Sequence, residues 1–496
     1  MHGMHAGLQR KLLQGRDISR HHQFLNARKP SRLNAINLPT ARELGQNLKG
    51  QPLDSLNRET ADGLPIRPLY AAAPAHPGLS RPVDPDRPWD LRTLITHPDP
   101  DQANQDLLAD LEGGAASAVL SIDPSGQTGV TVGSLAGMNR LLRGVVVEFA
   151  PIALDAGWLG PQAADWLSGA AKGSPTARLH FHMDPLSALA REGKSPGPIQ
   201  AHIALAATTA VRLTEPHPLA SHILASGRVI HEAGGGEVGE LAFALASALT
   251  YAKALVAAGM TQDQAFGAIS LGLSADTDYF LTIAKLRAAR DLWARLTTAC
   301  GVTCPARIEV RSSARMLTRQ DAWNNMLRLT AAGFGAAVGG ADAVTLGTFT
   351  DALGLPTRFA RRQSRNAQLV LMEEAHIGRV SDPAAGSGYV ETLTDQLARA
   401  AWAEFQTIEA QGGLVAALAS GHIASGVATV RDRRAAAGPP KVVGVTAFPP
   451  EQDAPVEIET PTRRPVDAPD ATLAGADTLC PALAPHRLTE TFEAAK

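Results

Sequence analysis

Three cysteines are the scarcest residues with reactive chemistry, and their spacing limits what they can do. Cys300 and Cys304 stand close together with no second ligand pair nearby, and Cys480 is remote from both. A structural zinc site needs four such ligands, so the pair reads as small packing residues at a helix end, and no metal site is expected. An odd, sparse set cannot form a disulfide framework either, which points to a reducing compartment, taken here as the cytoplasm. Nucleotide chemistry is equally unprovided for. No G-x-x-x-x-G-K-[ST] loop occurs, and no G-x-G-x-x-G turn follows the first β-rich run.

The elements that would have to position a site are legible. A chain of 496 residues is larger than one simple core supports, so a large domain with attached segments is expected. Apolar residues make up 45%, charged residues 19%, and the net charge is −2, a balance that argues against nucleic acid as a partner. The longest uncharged apolar stretch, Leu241 to Ala252, is shorter than the roughly 20 residues that span a bilayer and reads as a buried helix. Short β-rich runs alternate with helical patterns at Ala118–Ile122, Val145–Phe149, Ala177–His182, Ile223–Ile230, Phe266–Leu271, Arg307–Ser312, Asp342–Leu346 and Gly378–Asp382. That rhythm predicts an α/β fold, a (β/α)8 TIM-type barrel, with a doubly wound sheet as the alternative. In Tyr279–Leu296 the apolar positions recur three or four apart and Lys285, Arg287 and Arg290 take the other faces, as in an outer-ring helix packing one stripe on a barrel.

Both ends differ from the middle. Residues 1–55 read as an N-terminal extension, and Met1–Arg32 carries Arg10, Lys11, Arg16, Arg20, Arg28, Lys29 and Arg32 against Asp17 alone. That acid-poor pattern is shared with organelle transit peptides, but without a clear amphipathic face it reads as a leader, and mitochondrial targeting stays the lesser alternative. The barrel is expected over residues 56–437. From Gly438 proline becomes dense, so 438–496 reads as an extended arm suited to wrapping a partner, or else as a free tail.

From Leu56 to Phe448 the chain resembles the methylmalonyl-CoA mutase family, in blocks that keep the family order. Thr60-Ala-Asp-Gly-Leu-Pro-Ile-Arg-Pro-Leu-Tyr70 is similar to the family's opening segment, Arg87-Pro-Trp-Asp-Leu-Arg92 to R-P-W-T-I-R, and Ile283-Ala-Lys-Leu-Arg-Ala-Ala-Arg-Asp-Leu-Trp293 to a family helix. Leu317–Asn325, Ala352–Thr357, Ser364–Gln368 and Asp382–Ser387 continue the series. The resemblance implies a barrel whose axis takes the CoA arm of the substrate and a separate cobalamin domain carrying D-x-H-x-x-G. The nearest fragment here, His231-Glu-Ala-Gly234, has Val229 at the aspartate position and reads as a polar residue at a strand end.

Compared with the family's chemical residues, this sequence departs at each one. The tyrosine that ends R-P-W-T-I-R-Q-Y corresponds to Leu94; the tyrosine and thioester-binding histidine of G-Y-H-x-x-E-A-G correspond to Arg228 and Val229; an arginine two residues before a retained serine, Ser270, corresponds to Ala268. Glu309 and Arg311 stand for a histidine and a glutamine, His182-Met183-Asp184 for Q-N-D, and Asp90 for a threonine. The substrate arginine aligns with Arg191 only across a one-residue deletion. Arg87, Arg92 and Ser270 are the candidate residual CoA contacts, with a structural ion pair as the equal reading of the arginines.

These losses on a retained scaffold imply a small, catalytically silent subunit of methylmalonyl-CoA mutase. The expected partner is a large subunit that holds adenosylcobalamin and the acyl-CoA, with no cofactor bound by this chain. The alternative is an active acyl-CoA mutase subunit served by a separate cobalamin-binding protein. Similar small subunits continue into a degenerate second domain, which makes truncation a further expectation.

Overall fold

Parallel strands covered by helices outside and by one another inside need apolar or small residues on both faces, and the strand sequences here meet that demand. The computed structural model describes residues 52–73, 84 and 87–494. The basic leader Met1–Arg32 lies outside the described residues. Eight strands, β1 Asp90–Ile95, β2 Ser117–Ser121, β3 Ile152–Asp155, β4 Leu179–Met183, β5 Ser221–Ser226, β6 Ile269–Ala275, β7 Ile308–Ser312 and β8 Ala343–Thr345, close in chain order into a barrel. All pairs are parallel, and the ring shuts where Val344 of β8 registers with Leu91 of β1. The fold is the (β/α)8 barrel.

Two of the expected strands are absent, and two of the observed ones, β1 and β3, are not among those expected. Val145–Phe149 forms turns ahead of β3, with Phe149 82% exposed; the valines have strand propensity but no neighbour to pair with. Gly378–Asp382 overlaps the short 3-10 helix Ile377–Arg379, because the ring is already closed by β8. Strand β3 lies just past the Val145–Phe149 run, and in β1 the alternation of Asp90 and Arg92 with Leu91 and Thr93 looks too polar for a buried strand until its interior partners are seen. The run Ile223–Ile230 is split, as β5 ends at Ser226 and Arg228–Glu232 turns into a short helix.

Among the helices, α1 is Pro100–Glu112, α2 Glu237–Ala257, α3 Tyr279–Ala299, α4 Asn325–Val338, α5 Arg358–Leu369 and α6 Gly388–Ala410. Helix α2 is long and apolar enough to cross a membrane, yet most of it is buried against β5, β6 and α6. Helix α3 differs from expectation. With α6 over Arg287, α2 beside Lys285 and the entry to β8 beside Arg290, all three side chains are buried rather than solvated. Each has found an acid: Lys285 Nζ lies 2.5 Å from Glu240 Oε2, Arg287 Nη2 2.7 Å from Glu391 Oε1 with Asp382 alongside, and Arg290 Nη2 2.9 Å from Asp342 Oδ2. Buried charges persist only in such pairings.

The proline-rich arm lies on its own barrel. Its backbone N–H groups donate in turn to the loops that leave the strand C-termini: Glu459 to Leu355 after β8, Val466 to Pro124 after β2, Leu473 to Pro196 and Leu483 to Ala190 after β4, His486 to Glu232 after β5, and Leu488 to Arg315 after β7, at 2.8–2.9 Å. The arm thereby runs round the C-terminal rim. Close approach is built in at Gly197, whose φ of +102° and a Cβ position 2.3 Å from the Leu473 carbonyl oxygen exclude any other residue.

Candidate functional site

The interior of the barrel is spanned by charge. Strand β1 aims Arg92 across the axis, with 2% of its side chain exposed. Its Nη2 donates to Asp90 Oδ2 at 2.9 Å, its Nε to Ser117 Oγ at 3.0 Å, and its Nη1 to Glu309 Oε2 on β7. Ser117 closes the loop by donating to Asp90 Oδ2 at 2.5 Å. On the far side, Glu309 Oε1 meets His182 Nε2 at 3.0 Å and His180 Nδ1 at 3.4 Å, both on β4. Burial pushes the Glu309 carboxyl up, but Arg92, His182 and His180 together hold it well below the carboxylate range. His180 is held well below the ordinary histidine value by burial and then by Arg92.

Above this bridge, at the strand C-termini, a second set of charges faces a cavity of about 70 Å3. Arg311 Nη1 lies 3.1 Å from Asp155 Oδ2. Burial raises the Asp155 carboxyl, and Arg311, Arg191 and Arg228 override it to bring it to about 2. Burial and then Arg311 lower the Arg228 guanidinium to about 9. A larger cleft of about 730 Å3 opens beside Leu94, between the ends of β1 and β8 and the arm, and includes Thr348, Asp351 and Pro461. Two of its arginines are committed, Arg361 to Asp106 and Arg365 to Asp110, and Arg463 of the arm is exposed at its edge.

The remaining candidates fall in different places. Val229 is buried in the short helix after β5, beside Arg228 at the mouth. Ala268 is at the opposite end of the barrel, just before β6, where its carbonyl accepts from His222 and Ile223. Ser270 is fully buried in β6, and its hydroxyl meets no hydrogen-bonding group. Arg87 is half-exposed ahead of β1, 4.0 Å from Asp90 Oδ1. Cys300 caps the end of α3, and all three cysteines are free.

The methylmalonyl-CoA mutase family model matches residues 72–469. The chain belongs to the methylmalonyl-CoA mutase family. It is similar to the methylmalonyl-CoA mutase small subunit of Streptomyces virginiae, 38% identical over 440 residues, covering 84% of this chain and 70% of that one. The small subunit of Propionibacterium freudenreichii subsp. shermanii is 36% identical over 392 residues, 75% of this chain and 60% of its own length. The methylmalonyl-CoA mutase of Cereibacter sphaeroides is 30% identical, with 83% and 64% covered. The chain thus spans between 60% and 70% of the length of these relatives.

Methylmalonyl-CoA mutases imply a corrinoid, and the one fragment of this chain that resembles its histidine motif does not fit that role. His231 is fully buried, with Nδ1 3.3 Å from Glu240 Oε2 and Nε2 3.2 Å from Asp276 Oδ2. Arg315 Nη2 sits 2.7 Å from the same Asp276 oxygen. Both ring nitrogens face buried carboxylates at these distances, inside a fully buried cluster that leaves no open face for cobalt. Asp155, His180 and the reach of Arg92 to Glu309 had no sequence signal, since nothing in linear spacing reveals which strands face one another.

Proposed function

We propose that the chain is a small, catalytically silent subunit that pairs with a large methylmalonyl-CoA mutase subunit. In this reading the large subunit holds adenosylcobalamin and the acyl-CoA, and the complex interconverts methylmalonyl-CoA and succinyl-CoA. The observation that carries it is the Arg92–Glu309–His182 bridge. It crosses the axis where the family's CoA arm would run, and the mouth above it leaves about 70 Å3, far below the roughly 300–1,000 Å3 of small-molecule sites. Arg92 is engaged by two carboxylates and a hydroxyl, which favours the ion-pair reading over a CoA contact. Leu94, Val229 and Ala268, at positions where the family resemblance expects donors, have no side-chain group that can donate, and Arg228 stands as a cation where a tyrosine is expected. The complex is assigned to the cytoplasm on the strength of three free cysteines.

Calorimetry of the purified chain with methylmalonyl-CoA, and mutase assays with and without the large subunit, test the proposal. No CoA binding at micromolar concentration and no turnover without the large subunit are expected. Turnover by this chain with only a separate cobalamin-binding protein added would instead establish the second reading, an active acyl-CoA mutase subunit. That reading is favoured by the 730 Å3 cleft beside Leu94, which is large enough for a ligand.

A further inference from the structure

The bridge that blocks the barrel axis also contains a set of metal-ligating groups. One ring nitrogen each of His180 and His182 and one carboxylate oxygen of Glu309 lie within 4.8 Å of one another. The two contacts to Glu309 Oε1 are 3.0 Å from His182 Nε2 and 3.4 Å from His180 Nδ1. Nitrogen and oxygen ligands at about 2.0–2.2 Å from a zinc ion are roughly 3.0–3.5 Å from one another, so these two separations match two edges of a coordination polyhedron. We propose that His180, His182 and Glu309 bind one divalent transition-metal ion, Zn2+ by ligand type, inside the barrel.

The surroundings suit that role. Two imidazoles and a carboxylate are a donor set that zinc takes with further positions left to water. The cavity of about 70 Å3 abuts both His182 and Glu309, room for about two waters at roughly 30 Å3 each. The Ser221 hydroxyl, 2.8 Å from His180 Nδ1, turns its proton away from that nitrogen when the metal takes it, and an outer shell is present at the carboxylate, whose other oxygen is fixed by Arg92. Partners of this kind orient ligands in metal sites. His182 also has a φ of +47°, at the point where the pairing of β4 with β5 slips between His180 and Met183. A histidine holds that left-handed conformation only where its surroundings impose it, and here it turns the ring toward Glu309.

The competing occupant is a proton, with His182 Nε2–H donating to Glu309, and metal titration separates the two. The full chain is stripped with EDTA, titrated with Zn2+, passed through gel filtration and assayed for zinc. Retention of one equivalent is expected, with loss of that equivalent in His182→Asn and in Glu309→Gln. Asparagine tolerates the left-handed backbone, so His182→Asn tests the ligand with the fold kept. No zinc on the wild-type chain, or equal zinc on the wild-type and His182→Asn chains, overturns the proposal. Should both variants fail to fold, the visible spectrum of the wild-type chain with Co2+ decides. Intense d–d bands of a four- or five-coordinate ion support the site, and the faint spectrum of aqueous Co2+ overturns it.

Discussion

Replacing Arg92 by methionine should be among the most damaging single changes in the barrel. The methionine keeps most of the apolar volume, so little cavity cost is expected, and the loss comes from charge. Glu309, 11% exposed, loses its main counter-ion, while Asp90, 22% exposed, keeps Ser117 and some water. Breaking a buried pair by removing one partner costs about 3–5 kcal/mol. At about 2.1 cal/mol/K per residue this is a fall in Tm of roughly 3–5 °C for 496 residues. The sign of the pH dependence follows from Glu309. In the wild type its folded pKa lies below the unfolded value, so it stabilises above the unfolded pKa, and that contribution is lost as pH falls through the folded pKa. In Arg92→Met the folded pKa moves above the unfolded value, so the deficit is largest near neutrality and shrinks on acidification. The double variant Arg92→Met/Glu309→Leu removes both charges and should recover at least about 2 kcal/mol of the loss, since a buried pair replaced by apolar residues is often neutral. Urea denaturation of the three proteins from pH 5 to 8 measures all of this. A single-variant loss below about 1 kcal/mol, or a double variant no more stable than the single, would refute the reasoning.

Glu240 is held at about 2 against an ordinary 4.5, because Lys285 and His231 outweigh the burial that raises it; at 1.36 kcal/mol per unit this is about 3 kcal/mol of stability, present above pH 4.5 and lost toward pH 2. Lys285→Met should therefore cost most at neutral pH and least near pH 3, which acid-unfolding curves will reveal. Gly197→Val places a side chain into the Leu473 carbonyl and should free the arm between Val466 and Leu483, seen as new limited-proteolysis sites there with a loss of about 1–3 kcal/mol. Leu94→Tyr/Val229→His restores two family donor groups while the Arg92–Glu309 bridge stays in place, and it should show no mutase turnover and no tighter CoA binding by calorimetry.

The sequence alone determined the fold class, because a β-rich run followed by an amphipathic helix, repeated, has few parallel solutions, and because the ordered family blocks from Thr60 to Ser387 carry a specific resemblance. The same resemblance marks Leu94, Val229 and Ala268 as positions where family donors are expected, a reading that the proposed assays test. Tertiary structure decided everything that depends on which strands face each other. Arg92 and Glu309 are 217 residues apart, and only closure of β8 on β1 makes them one bridge, which is also why β1 looked too polar to be a buried strand. Lys285, Arg287 and Arg290 read as a solvated face because helical spacing reports the angle around one helix and not the elements packed round it, α2, α6 and the entry to β8. The arm's composition could say that it is extended, since proline removes donors and fixes φ. Only the path of its remaining N–H groups round the rim could say that it belongs to its own barrel.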